Sequence, residues 1–396
     1  MKNKHYEVIV VGLGAVGSAA LYQLSDMTSN VLGIDQYAPP HTLGSTHGDT
    51  RITRQAIGEG AHFVPLSLRS YQIWEELEAL SGESLLTKCG GLFWGKKQSN
   101  MLTHNKKGWL NTTIETAQKF DIPHQVLDND TLCRRFPQFR YQPDDIGYWE
   151  ENAGFLRPEK CVSVQLAQAQ NNGATVHTYE QMLDYRSTSA GVRISTDRGE
   201  YHTRTLILTT GAWIGQSLQH TPYCDLLKVY RQVLYWFEVE AEFEKYTPEH
   251  LPVYILPDSD IYGFPAIDGP QGGIKIATEN YQNPTTPQHI NRNVSQAETQ
   301  LMYERYVAPY LVGVGQRCVK SAVCLYTMTP NGDFLIDRHP HYPQVWLASA
   351  CSGHGFKHSA AVGQVLAQLA LQGKTEFEIE KFQLTCFGEL PKYTVN

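Results

Sequence analysis

The sequence predicts an α/β (α+β) chain in which a Rossmann-type dinucleotide-binding domain is interleaved with a mixed-sheet substrate domain. Three observations carry this expectation. Gly12-Leu-Gly-Ala-Val-Gly17 stands between a short apolar run and a helical pattern near the N-terminus. Two later apolar runs, Leu206 to Thr210 and Val345 to Ala350, end in glycine-containing turns in the same way. Between these pieces lie two long stretches, rich in aromatic and strand-like runs, that do not continue the βαβ rhythm.

Glu7 to Val11 reads as a short, fully buried strand, followed by the glycine turn, a helix from about Val16 to Leu24, and a second strand from Asn30 to Asp35. Asp35 ends that strand where a carboxylate can accept from both ribose hydroxyls of a dinucleotide. Pro39-Pro-His41 opens a polar loop, Gly44-Ser-Thr-His-Gly-Asp-Thr-Arg-Ile-Thr-Arg54, whose residue types are not needed for packing. Residues 62–80 form an amphipathic helix. Residues 85–145 leave the nucleotide sheet, and Gly154-Phe-Leu-Arg-Pro158 begins a return. The strand Leu206 to Thr210 runs into Gly211-Ala-Trp213, a second nucleotide edge. Residues 225–320 make another excursion, with strands at Val229 to Val239, Ile261 to Pro265 and Ile274 to Ala277. The run Val345 to Ala350 enters Cys351-Ser-Gly-His-Gly-Phe-Lys357, and a helix follows from about His358 to Leu371, closed by Gly373. The dinucleotide domain thus comprises 1–84, 146–218 and 321–396, and the substrate domain 85–145 and 219–320.

Bulk properties exclude several function classes. The 396 residues are 41% hydrophobic and 18% charged, a balance that supplies an ordinary globular core. A net charge of -7 with no basic run argues against a nucleic-acid partner. The eight cysteines contain no CxxC pair and no metal-ligand spacing, a pattern of free thiols in a reducing compartment and of no metal site. Lys2 and Lys4 before an apolar stretch resemble a secretory leader, but three glycines at nucleotide-binding spacing interrupt it. No apolar segment reaches the roughly twenty residues of a membrane span. The expected setting is cytoplasmic, away from the membrane.

Several side chains could carry chemistry. Cys324 lies in Ser321-Ala-Val-Cys-Leu-Tyr-Thr327, where strand alternation puts it on one face with Tyr326. On the residues alone it is either a buried structural thiol or an attachment point. Lys275, between Ile274 and Ile276, either points to solvent or places a cation where negative charge develops. Arg51, Arg54 and Lys357 suit a carboxylate, the arginine as a planar fork and the lysine as a point charge. The turn at Gly353 and Gly355, before the last long helix, offers a helix N-terminus to an anionic group.

The whole chain resembles the monomeric sarcosine oxidase family, which includes N-methyltryptophan oxidase. The resemblance rests on Gly12-Leu-Gly-Ala-Val-Gly17, Pro39-Pro-His41, His47-Gly-Asp-Thr-Arg51 with Arg54, Gly58-Glu-Gly60, Tyr262-Gly-Phe-Pro265, Ala322-Val-Cys324 with Tyr326, and Ser352-Gly-His-Gly-Phe-Lys357. It implies FAD held covalently through Cys324, an amino acid and oxygen as the small-molecule partners, and a monomer. The implied reaction oxidises an N-methyl amino acid to an imine, which hydrolyses to an aldehyde and an amine, while oxygen becomes hydrogen peroxide. Lys275 matches the lysine that activates oxygen, and Arg54 with Lys357 the pair that holds the substrate carboxylate. Tyr262 and Tyr326 match active-site tyrosines. His47, Thr50 and Arg51 match residues beside the flavin, and Gly12, Gly14, Gly17, Asp35, Ser45, Gly211, Gly353 and Gly355 are the expected cofactor contacts.

Three departures bear on the substrate. Glu279 stands where relatives carry a histidine near the substrate, Thr46 where a histidine precedes His47, and Ile57 where a tyrosine lies near the carboxylate-binding arginine. Glu279 is therefore counted among the substrate-binding candidates. The competing readings are a pipecolate-type oxidase of cyclic imino acids, an NAD-dependent dehydrogenase, and a flavin-binding protein without turnover.

Overall fold

In the computed structural model, which describes residues 4–97, 102–103, 106–240 and 242–388, the first apolar run is strand β1 (Lys4–Val11). It passes through the glycine turn into helix α1 (Ala15–Ser25) and strand β2 (Val31–Ile34). Gly12 has φ +89°, and a Cβ there would meet the Thr209 carbonyl oxygen at 2.6 Å. A Cβ on Gly17 would lie 1.8 Å from the Gly12 oxygen, so the third glycine lets α1 press onto the turn.

The elements that then position the site are β3 (Arg51–Thr53), α2 (Val64–Ser81), β4 (Gly91–Lys96), β5 (Asp145–Glu150), α3 (Pro158–Asn171), β6 (Thr175–His177) and β7 (Glu200–Leu208). They are followed by β8 (Lys228–Val239), β9 (Val253–Leu256), β10 (Ile261–Gly263), β11 (Ile274–Thr278), β12 (Val314–Met328), β13 (Tyr342–Ser349) and α4 (Ser359–Gln372).

Five of these strands form a parallel sheet in the order β6, β2, β1, β7, β13. Strand β7 is shared: its first half pairs antiparallel with Gly191–Thr196, its second half parallel with β13. Val8–Val11 of β1, the strand β2 and the end of β7 are buried on both faces, which is why they read as continuous apolar runs. Helices α1 and α4 pack closely enough that a Cβ on Gly363 would sit 2.5 Å from Ala19.

A second, mixed sheet contains β12, β8, β11, β10, β9, β4 and β5 in that lateral order, antiparallel except between β9 and β4. Both β5 and the whole of β12 belong to it, so the chain crosses between the sheets after Glu150 and after Met328. Its register puts one set of side chains on one face. Lys275 and Lys320 both pair with Trp236, Cys324 with Gln232, Tyr326 with Tyr230, and Ala277 with both Leu234 and Tyr262. The opposite face carries Ile274, Ile276 and Phe237, which pack with Met302, Val307 and Leu311. A half-apolar sheet thus seals its back with hydrophobic side chains and turns its chemistry-bearing face toward the polar loop of residues 44–54.

Substituting Gly17→Ala should lower stability by about 2–4 kcal/mol, because the new methyl meets backbone rather than a movable side chain. Chemical denaturation of the purified protein checks this; an unchanged midpoint would show that α1 can shift away from the turn.

Candidate active site

The loop between β2 and β3 is fastened from two sides. From the parallel-sheet side, Glu159 in the first turn of α3 accepts hydrogen bonds from the Gly48 and Asp49 amides at 2.6 and 3.1 Å. From the mixed sheet, the Lys275 ammonium donates to the Gly48 and Thr50 carbonyls at 2.6 and 2.8 Å and to Thr50 Oγ1 at 3.2 Å. Lys320 pairs with Asp49 at 2.5 Å over the ring of Trp236. Gly48 itself has φ +95°. The loop therefore keeps one shape, and its carbonyls are aimed inward.

Lys275 is buried, so of its two expected placements the solvent-facing one is discarded. Its Nζ stands 4.4 Å from the Phe264 ring centre. Burial, and then the Arg51 charge, push its pKa well below the usual lysine range, while three acceptors hold its protons. Arg51 donates to the Thr50 and Ser45 carbonyls, both at 2.8 Å, and to the Cys324 sulfur at 3.6 Å. Cys324 Sγ also lies 3.4 Å from the Ser45 carbonyl. His47 is buried beside these cations; burial, Arg51 and Lys275 bring its pKa down to about 3, so it is neutral, and its Nε2 has no hydrogen-bond partner among the described residues.

Arg54 is fully buried and already carries a carboxylate. Its guanidinium meets both Glu59 oxygens at 2.9 and 2.6 Å and the Ala56 carbonyl at 2.6 Å, and it stacks 4.6 Å from the Trp109 ring. Glu150 holds the following backbone through the Gln55 and Ala56 amides. Lys357, from the turn before α4, donates to the His354 carbonyl at 2.6 Å. Burial lowers its pKa to about 7, with Glu59 acting in the opposite sense. The hydroxyls of Tyr262 and Tyr326 lie 3.1 Å apart, and Tyr281 donates to Glu279 at 2.6 Å.

These groups surround a cavity of about 930 Å³. Arg51, Arg54, Glu59, Lys357, Tyr262, Tyr326 and Glu279 line one part of it; Gly12, Gly14, Asp35, Ser45 and Gly211 line another, with Gly353 and Gly355 also on the wall. Cys324, Lys275, Thr50 and His47 sit directly behind the wall rather than on it, and Gly17 lies in the helix packing. The nucleotide part fits a dinucleotide. A Cβ on Gly14 would meet only Thr46 Oγ1, at 3.6 Å, and one on Gly211 would meet nothing within 4 Å, so backbone is open to a close-lying diphosphate. Asp35 accepts from the Leu13 and Tyr37 amides at 2.7 and 2.8 Å, which aims its carboxylate; burial still raises its pKa.

Two of the departures are placed by the fold. Thr46 Oγ1 accepts from the Ala15 amide at 3.3 Å, so it caps α1. Ile57 is fully buried in the main hydrophobic core. Sequence reasoning missed Glu59, Glu159, Glu150 and Tyr281. Only Glu59 left a signal, between glycines at Gly58 and Gly60; the other three are ordinary residues of a helix, a strand and a loop until the fold brings them to the site. Among the described residues no group of His, Cys, Asp and Glu could hold a metal ion, and no helix is long and apolar enough to cross a membrane.

Comparison with known proteins agrees with this geometry. Residues 7–369 match the family model described as FAD dependent oxidoreductase. The chain is 38% identical to monomeric sarcosine oxidase of Streptomyces avermitilis over 381 residues, covering 95% of this chain and 96% of that one. It is 32% identical to N-methyl-L-tryptophan oxidase of Yersinia pestis over 391 residues, covering 96% and 99%. Among solved structures, NikD, an unusual amino acid oxidase essential for nikkomycin biosynthesis, shares the fold at a TM-score of 0.81 and 21% identity, covering 96% of this chain and 98% of that one.

The Arg54–Glu59 pair makes a stability prediction. Glu59→Leu leaves a buried guanidinium without its counter-charge and should cost about 3–5 kcal/mol. The double variant Arg54→Met/Glu59→Leu should recover most of that loss in denaturant melts; a double variant as unstable as the single one would show that packing, not charge, sets the cost.

Proposed function

Taking as premise that the chain belongs to the FAD dependent oxidoreductase family, we propose that it is an oxidase of secondary amino acids, with N-methyl amino acids such as sarcosine or N-methyl-L-tryptophan as substrates. The observation that carries this reading is one cavity that joins a dinucleotide-type wall at Gly14, Asp35 and Gly211 to a buried cationic wall at Arg54 and Lys357. Family membership sets aside the NAD-dependent alternative. Bound FAD would supply the two-electron acceptor, and oxygen would be the final one, leaving hydrogen peroxide.

The chain's own residues would divide the remaining work. Arg54 and Lys357 bind the substrate carboxylate, which displaces part of the hold of Glu59 on Arg54. Tyr262 and Tyr326, both kept protonated by burial, close the wall and offer hydroxyl donors. The amine has to be neutral to give up a hydride, and the nearby Arg51 and Lys275 charges disfavour its protonated form. Neutral His47 adds no charge beside them. Lys275 places positive charge where oxygen gains electrons, in a water-poor setting in which that field acts strongly. Cys324, held against Arg51 and Ser45, is the proposed point of covalent attachment of the flavin. The expected division, 1–84, 146–218 and 321–396 for the cofactor-binding part and 85–145 and 219–320 for the substrate-binding part, would shift at two borders, since 145–150 and 314–328 lie in the mixed sheet, and the protein would work as a cytoplasmic monomer.

A peroxide assay against a panel of N-methyl amino acids and cyclic imino acids tests the reading. Turnover of N-methyl amino acids is expected; absence of turnover with all of them, in flavin-loaded protein, would overturn it. Acid precipitation should leave a yellow pellet with a flavin mass adduct at Cys324, and Cys324→Ala should abolish that adduct.

The pKa of Lys357 sets a pH dependence. Its cationic form binds a carboxylate and is filled below about 7. Affinity for a simple carboxylate inhibitor lacking an amine should therefore be greatest on the acid side. It should fall, by up to about tenfold per pH unit, as pH rises through 7. Inhibitor titration of flavin absorbance checks this, and Lys357→Met should flatten the profile.

A further inference from the structure

Arg54 stands one residue past the end of β3, so the chain that follows it has no strand ladder to fix its path. The amides there need acceptors of another kind. One side chain serves two of them. Glu150, at the end of β5, accepts from the Gln55 amide at 2.6 Å through Oε1 and from the Ala56 amide at 3.2 Å through Oε2. Tyr148, two residues earlier and on the same face of β5, donates to Oε2 at 2.8 Å. Its ring stacks on that of Phe93, its cross-strand partner on β4, with centroids 5.7 Å apart and planes at 9°. Ser67 on α2 donates to the Arg54 carbonyl at 2.6 Å. The peptide group that leaves Arg54 is thus gripped at both ends, its carbonyl from α2 and its amide from β5.

This grip bears on which donors Arg54 can offer. Its Nη1 is committed to the Ala56 carbonyl at 2.6 Å, and Ala56 is itself held through its amide by Glu150. Its Nη2 meets Glu59, and its Nε has no hydrogen-bond partner among the described residues. A substrate carboxylate that takes over part of the hold of Glu59 therefore meets the Nε–Nη2 edge, a flat fork suited to two oxygens. Glu150 is fully buried and stands behind the cavity wall rather than on it, so it does not itself touch the substrate. Burial raises its pKa, and the Gln55 amide, the Tyr148 hydroxyl and the Ala56 amide each oppose this more than the Arg54 charge does. Its principal work is therefore on the backbone. A carboxylate suits that work because it offers an oxygen to each of two successive amides, whereas a side-chain amide offers only one.

We propose that Glu150 is a positioning residue for substrate recognition: by holding residues 55 and 56 it keeps the Ala56 carbonyl on Arg54 Nη1, and so presents the Nε–Nη2 edge to the substrate carboxylate. Tyr148 orients the Glu150 carboxylate for this task. The proposal rests on the oxidase reading above and adds to it the origin of the Arg54 orientation. A purely electrostatic role predicts the opposite outcome. A buried negative charge near Arg54 repels an incoming carboxylate, so removing that charge would tighten binding.

The test is steady-state kinetics of flavin-loaded Glu150→Gln with the N-methyl amino acid that the native enzyme oxidises best. The glutamine keeps the shape but turns an NH2 group toward one of the two amides. Its kcat/KM should fall by about tenfold or more, in line with the cost of misplacing a clamping group by less than about 1 Å. The kcat at saturation should stay within about threefold of native, because the lost interaction serves binding. A general loosening of the protein would instead lower kcat and flavin content together. Tyr148→Phe leaves the charge and both amide contacts in place and should lower kcat/KM in the same way by about two- to fivefold, the worth of one orienting hydrogen bond. A kcat/KM that is unchanged or raised in Glu150→Gln, or a fall carried by kcat, would overturn the inference while leaving the oxidase reading standing. Where Glu150→Gln does not fold or load flavin, Tyr148→Phe decides, and a native kcat/KM in that variant would overturn the inference. Absence of turnover by the native flavin-loaded protein would overturn both.

Discussion

Glu159 and Lys275 hold one loop from opposite sides, and the site depends on that double grip. The loop of residues 44–54 has no regular structure of its own before β3, and its internal hydrogen bonds, from Arg51 to the Ser45 and Thr50 carbonyls, do not tie it to the rest of the fold. Glu159 takes its amides and Lys275 takes its carbonyls, with Gly48 contributing to both contacts. Because Glu159 belongs to α3 and Lys275 to β11, the loop also ties the parallel sheet to the mixed one. Arg51 and Arg54 project from the fastened end of this loop. Their positions are therefore set by residues more than a hundred positions away in the chain.

Charge in the site is arranged in pairs and carbonyl cages rather than left bare. Arg54 has Glu59, Lys357 has the His354 carbonyl, and Lys275 has three oxygen acceptors. Burying a charge without such partners would cost several kcal/mol, so the fold would not tolerate these cations otherwise. The same pairings leave room for exchange. In the proposed reading, an incoming carboxylate would take over part of the hold of Glu59 on Arg54 and meet Lys357, whose pKa burial lowers to about 7. Neutral His47 is the counterexample: buried, and next to Arg51 and Lys275, it gives up its proton.

The mixed sheet contributes through register. Alternation along β8, β11 and β12 sorts the apolar Ile274, Ile276 and Phe237 to the sealed face and Trp236, Lys275 and Cys324 to the face that meets the loop. A slip of one residue would turn every one of these side chains to the other face. The aromatic rings of Trp236 and Phe264 next to Lys275 keep water away while favouring a cation.

Much of this protein was legible in one dimension. The glycine fingerprint, the carboxylate of Asp35 and the apolar runs at β1, β7 and β13 are local signals, because strand, turn and helix formation depend on neighbours within a few residues. The family motifs named the loop of residues 44–54, Cys324, Lys275 and the turn at Gly353 to Lys357. Side-chain direction was not legible. Whether Lys275 faced solvent or the loop depended on which side of a sheet would be covered, and that is decided by a segment 225 positions away. Glu159, Glu150 and Tyr281 carry no local mark of function, and that Glu279 reaches the cavity wall with Tyr281 on its carboxylate was settled only by tertiary structure. Local sequence determined the elements and their order; long-range pairing and burial decided which charges share a cavity, since an isolated segment holds no record of what will desolvate it.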